Sequence, residues 1–195
     1  ITEFKNNNRF VFICNNCSKL NESIQSKCMI IKFPNIHKKN LKLRVKKICE
    51  NENITYTKKG IKALIFVSNN DIRQVINNLE CIYYSYELID EDNVYKFVDL
   101  PKPYYINNII SNCFDGNLKQ CFNIINELIK KGYSPNDVLL TFMKCLTDND
   151  IDIDEETKLK LYEIISLSYI KVNDGIDTIL QLYGCISKVH LYLFK

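Results

Sequence analysis

Four side chains near the start of the sequence have the types that bind zinc or carry redox chemistry. Cys14 and Cys17 form a CxxC, Cys28 follows, and His37 is the next nitrogen ligand. Structural zinc usually takes two short-spaced pairs of ligands, and only one such pair is present. Cys14 closes one apolar run and Cys28 opens another, so their sulfurs are expected to pack as small core groups. A redox CxxC has to open a helix after a strand, whereas "NNCSKLNESIQS" reads as a polar turn. No metal ligand is assigned. Two other residues carry more. Asn15 directly follows Arg9–Cys14, which reads as a buried strand, and open α/β sheets bind ligands at the carboxyl ends of their strands. A neutral amide there can position a water or a phosphate oxygen without adding charge; the plainer reading is a turn-forming Asn. Arg73 falls in the first turn of a helix opened by Asp71. A helix N-terminus favours anions, and the guanidinium fork recognises them in a way lysine cannot. A surface ion pair is the ordinary alternative.

The chain that must position these groups has 195 residues, 46% of them hydrophobic, with only 5 Gly and 4 Pro, enough for a sizeable core. Its net charge of +3 is too mild to argue for nucleic acid or an acidic membrane. The basic residues are nearly all lysine; the arginines are Arg9, Arg44 and Arg73. Nine cysteines, an odd number, mostly sit inside apolar helical patterns (Cys49, Cys81, Cys121, Cys145, Cys185), which fits core packing in a reducing compartment. The opening "ITEFKNNNRF" is polar, unlike a signal peptide, and no apolar run nears the roughly 20 residues of a membrane span. Starting without Met just before a strand-like run, the sequence reads as an excised fragment.

Along the chain, "RFVFIC" (Arg9–Cys14) and "CMIIKF" (Cys28–Phe33) read as two buried strands, the end of a larger α/β domain. After Pro34 the period is helical. His37–Asn51 places Leu41, Val45, Ile48 and Cys49 on one stripe. Thr57 is an N-cap for a helix carrying Ile61, Leu64, Ile65 and Val67. Asp71 opens a helix with Ile72, Val75, Ile76 and Leu79 inward, and Asp90 caps a short one. "DLPKP" (Asp99–Pro103) marks a boundary, since two prolines two apart forbid a continuous helix. Five longer helices follow: Tyr104–Phe114; Leu118–Lys131, closed by Gly132; one begun by Ser134 and Pro135; one after the acidic "DNDIDIDEE"; and one from near Asp174 carrying Ile176, Ile179, Leu180, Tyr183, Ile186, Val189 and Leu193.

"RFVFICNNCSKLNESIQSKC" resembles the sensor-1 strand and Ser-Arg-Cys motif of the small subunits of replication factor C, the AAA+ sliding-clamp loader of eukaryotes. "IKALIFVSNNDIRQVINNLE" resembles the sensor-2 helix of that family's lid. "KGYSPNDV" is similar to a stretch of its collar, nearest the type numbered two in animals. The likeness runs in order along essentially the whole chain. It implies a mainly α fold: residues 1–33 as the end of an AAA+ α/β domain, two strands included, 34–99 as a small helical lid, and 100–195 as a five-helix collar that joins a ring.

The resemblance also implies roles. Asn15 matches the sensor-1 asparagine that orients the attacking water. Arg73 matches the sensor-2 arginine that reaches the γ-phosphate of ATP. Lys27 stands where the family has an arginine finger acting on the neighbour's site. Lysine lacks the bidentate fork, so a weaker finger is expected. Asn70 replaces the glycine usual before Asp71, which is expected to alter the turn. The sequence holds no GxxxxGKS/T and no acidic Walker B run, so ATP and Mg²⁺ are expected to belong to the full-length protein only, and this stretch to be inactive alone. Implied partners are other loader subunits in a hetero-pentamer, the sliding clamp and primer-template DNA; the implied location is the nucleus. The rival reading is a helical adaptor or scaffold without a nucleotide role.

Overall fold

Apolar residues spaced three and four apart make most of this chain helical. The computed structural model describes residues 4, 7–34, 36–147 and 153–194. Its contacts separate into two units, Ile1–Asn35 and Ile36–Lys195.

Among the described residues of the first unit only short pieces form, a 3-10 turn at Cys17–Lys19 and a one-turn helix α1 (Glu22–Gln25). Neither expected strand is present: residues 8–14 and 28–34 belong to no ladder. Their apolar side chains face solvent, with Val11 84%, Ile13 94%, Met29 89% and Phe33 91% exposed. The expectation of two buried strands at 9–14 and 28–33 is therefore corrected. A strand needs a neighbour for its N–H and C=O groups and a surface for its apolar face, and the described residues of this unit supply neither. Cys14 is exposed and Cys28 half-buried rather than packed, for the same reason.

The second unit has two cores. The first joins α2 (Lys38–Asn51), α3 (Lys58–Val67), α4 (Ile72–Tyr86) and α5 (Glu91–Val98). Leu41, Val45, Ile61, Leu64, Val75, Ile82 and Val94 are wholly buried there. Each of three helices starts on the expected cap. Thr57 Oγ1 accepts from the Gly60 N–H at 2.9 Å, Asp71 Oδ1 from Arg73 N–H at 2.9 Å, and Asp90 Oδ1 from Asn93 N–H at 2.8 Å. Two strands of two residues each lie here: β1 (Thr55–Tyr56) pairs in parallel with β2 (Leu88–Ile89). A run this short leaves no period to read. Gly60 is required beside it, because a Cβ would stand 2.2 Å from the Ile89 carbonyl oxygen. On α4 the buried stripe is Val75, Leu79 and Ile82. Ile76, expected inward, lies about 100° round the helix from Val75 and is 36% exposed. Cys81 is likewise exposed, not core.

The second core joins α6 (Pro103–Phe114), α7 (Leu118–Lys130), α8 (Pro135–Thr147), α9 (Glu155–Asn173) and α10 (Ile179–Leu193). Phe142 is its largest fully buried side chain. Gly132 takes φ 97° just past the end of α7. Ser134 Oγ accepts from the Asp137 N–H at 3.2 Å while Asp137 Oδ2 accepts from Ser134 N–H at 3.1 Å, a reciprocal capping box. Asp154 caps α9; residues 148–152 of the acidic stretch lie outside the described residues. The last helix starts at Ile179, not near Asp174, since α9 runs on to Asn173 and Gly175 at φ 99° turns the chain. Ile176 is thus outside it at 49% exposure, Leu180 is 71% exposed, and the buried stripe is Leu182, Cys185, Ile186 and Val189. Cys113 and Cys121 meet in this core with sulfurs 3.6 Å apart. The contact with Cys121 and burial push the Cys113 thiol far up, so it stays protonated.

The two cores touch through α3. Phe66 packs against both, and the Lys144 ammonium of α8 donates to the Val67 carbonyl at 3.3 Å. A cleft of about 270 Å³ lies beside this contact, lined by Lys38, Phe66, Asn69, Asn70, Lys144 and Thr147 among others.

Candidate functional site

The first unit carries Asn15 and Lys27, and the second carries Arg73. All three are exposed.

Asn15 sits at a bend before the 3-10 turn, and the turn-forming role falls to its neighbours. Asn16 Oδ1 accepts from the Ser18 N–H at 2.9 Å, and Asn21 Oδ1 from the Ser23 N–H at 2.9 Å, each a short-side-chain cap. Lys27 lies in the turn after α1, its N–H bonded to the Ile24 carbonyl at 3.1 Å. Gln25 ties the two places together: its Nε2 donates to the Cys17 carbonyl at 3.0 Å and the Leu20 carbonyl at 2.8 Å. Sequence reading missed this residue, because a glutamine bracing a loop leaves no spacing signal. Cys14 and Cys17 bring their sulfurs to 3.9 Å. Desolvation, then the contact with Cys17, raises the Cys14 thiol above its ordinary value, so it is not an activated nucleophile. Among the described residues, no three His, Cys, Asp or Glu side chains gather as a metal would require.

Arg73 is the second residue of α4, and the turn delivering it is held at each step. Ser68 is wholly buried and its hydroxyl accepts from Asn78 Nδ2 at 3.1 Å. Asn69 and Asn70 follow at φ 50° and 62°. Both are left-handed, a conformation that asparagine tolerates better than most residues. Asn70 therefore supplies the backbone geometry for which a glycine would be the usual choice. The Asp71 N–H donates to the Ser68 carbonyl at 2.9 Å before its side chain caps α4. Lys144, also missed from sequence, joins this turn from outside. Burial pushes its ammonium below the ordinary lysine value.

These residues do not fit ATP and Mg²⁺ as a site of their own. The sequence has no glycine-rich phosphate cradle, and the described residues gather no carboxylate cluster for the metal. No chemical step is derived through the nucleotide.

Comparison with known proteins places each core. A family described as the RFC1-like, AAA+ ATPase lid domain matches residues 38–96, and the Replication factor C C-terminal domain matches residues 101–188. Helical lid followed by helical C-terminal domain is the class: an AAA+ ATPase lid with the C-terminal domain that follows it. The chain belongs to the replication factor C family. It is 30% identical to replication factor C subunit 4 of Oryza sativa subsp. japonica, over 96% of this chain and 56% of the relative. It is 32% identical to subunit 4 of Saccharomyces cerevisiae, over 96% and 57%. A putative replication factor C small subunit of Acanthamoeba polyphaga mimivirus is 33% identical over 97% and 59%. The chain thus spans somewhat over half the length of the relatives it matches. Both subunit numbers, 4 and 2, occur among them.

Proposed function

We propose that this chain is the lid and collar part of a small clamp-loader subunit. The whole protein would use ATP binding and hydrolysis, with Mg²⁺, to open a sliding clamp and load it on primer-template DNA during nuclear replication and repair. Residues 1–33 would end its nucleotide-binding domain, 34–99 form the lid, and 100–195 the collar that joins a hetero-pentamer. The observation that carries this reading is the succession of two helical cores, each coinciding with one matched domain of the family. The outer face of α9 supports the collar role. Leu159, Leu167 and Ile170, on the side away from the buried Leu161 and Ile165, are 72%, 55% and 54% exposed. A helix apolar on both sides suits burial between neighbours. The exposed apolar runs around Asn15 and Lys27 similarly suit docking on the rest of a sheet.

Asn15 and Arg73 would face a nucleotide held by the same subunit, and Lys27 that of its neighbour. The test is the full-length complex reconstituted with Arg73→Ala, Lys27→Arg or Lys27→Ala. Arg73→Ala should lower clamp-stimulated ATPase by about tenfold or more, the loss expected for a phosphate-contacting arginine. Lys27→Arg should raise it and Lys27→Ala reduce it. Indifference to both Lys27 changes removes the finger assignment, and indifference to Arg73→Ala removes the sensor assignment. Residues 1–195 alone should show no turnover.

A further inference from the structure

The last carbonyls of a helix have no partner within it and attract cations. Val67 ends α3, and its carbonyl receives the Lys144 ammonium from α8, 77 positions away in sequence, at 3.3 Å. Only five residues separate Val67 from Arg73. Within them the lid holds every other joint: Ser68 by Asn78, Asn69 and Asn70 by their left-handed backbone, and Asp71 by its cap on α4. The joint at Val67 is held from the other core, by Lys144. Phe66 presses α3 against both cores without direction, whereas a hydrogen bond fixes where the carbonyl points. No ion pair of Lys144 with a carboxylate occurs among the described residues. Burying an ammonium is costly unless it is hydrogen-bonded, and the Val67 carbonyl supplies such a bond.

We propose that Lys144 is a positioning residue for Arg73: by holding the end of α3 it lets the collar set the turn from which α4 and its arginine start. The consequence for nucleotide contact rests on the reading of Arg73 given above; the mechanical link does not.

Amide hydrogen exchange on the 195-residue chain tests the link. In Lys144→Met the Asn69, Asp71 and Arg73 amides should exchange roughly tenfold faster, the scale of one lost hydrogen bond to a charged group. Core amides of α10, such as Leu182 and Ile186, should keep wild-type rates, and Lys144→Arg should restore most of the protection. Unchanged turn amides in Lys144→Met overturn the proposal. So does equal acceleration of turn and α10 amides, which would make Lys144 a general stability element. In the full-length complex, Lys144→Met should weaken ATP binding less than Arg73→Ala, and the double variant should match Arg73→Ala alone. A turn that loosens while Arg73→Ala leaves ATP binding intact keeps the link and sinks the sensor reading. Additive effects of the two changes overturn the coupling to Arg73.

Discussion

Residues 1–35 and 36–195 contain apolar runs of similar make-up but treat them oppositely. Ile13 in "RFVFIC" is 94% exposed, whereas Leu64 in "IKALIFV" is fully buried. An apolar run is buried only when other elements of the same chain come to cover it. From Lys38 onward, helices arrive at intervals that let α2 to α5, and then α6 to α10, cover one another. Before it, among the described residues, one short turn and a single helical turn do not cover the two apolar segments.

The largest effect expected from this contrast concerns phenylalanine. Phe142→Ala should cost about 3–5 kcal/mol in urea unfolding followed by circular dichroism, the usual loss for a filled core site. Phe33→Ala, at a side chain 91% exposed, should stay within about 0.5 kcal/mol. Equal costs would break the contrast. A smaller effect is expected at the turn before α4. Asn70→Ala places an ordinary Cβ residue at φ 62° and should cost about 1–2 kcal/mol, while Asn70→Gly should be nearly neutral. A neutral Ala would mean that the turn relaxes and is not held as described. The smallest is a difference in acid sensitivity. The Thr157 N–H and hydroxyl bonded to Asp154 hold its carboxyl below its ordinary value of 3.8. Its folded pKa is depressed, so its contribution is complete above that value and lost as pH falls through the lower folded one. Between pH 4 and 2, melting temperature should therefore drop more in wild type than in Asp154→Asn, whose amide caps without titrating. Parallel curves would remove the cap from the account.

Much of the second unit was legible because helix ends announce themselves in short polar side chains. Thr57, Asp71, Asp90, Ser134 with Pro135, and Gly132 all stand where their types implied. Errors came where tertiary contact decides. Ile76 lies one row off the buried stripe of α4, and Leu180 stands on the face of α10 opposite its stripe; apolar type alone does not choose the row. The start of α10 moved from near Asp174 to Ile179 because α9 continues to Asn173 and Gly175 provides the stop. The two-residue ladder and the close approach at Gly60 were invisible, since they join positions 33 and 29 apart in sequence. The strands at 9–14 and 28–33 were read from composition that is compatible with a sheet, but a strand is defined by its neighbour. Of the candidate site, Asn15 and Arg73 were singled out by residue type and position and Lys27 by resemblance, and the braces around them, Gln25 and Lys144, act through backbone carbonyls that no sequence pattern marks.

Phe66 has a consequence for how this molecule comes apart. A side chain shared by two cores makes part of each one's free energy an interface term, as between adjacent repeats of a solenoid. Lid and collar are then nearest neighbours in a chain of coupled units. Loosening either lowers the cooperativity of both, and the stability of one is not a property that it owns alone.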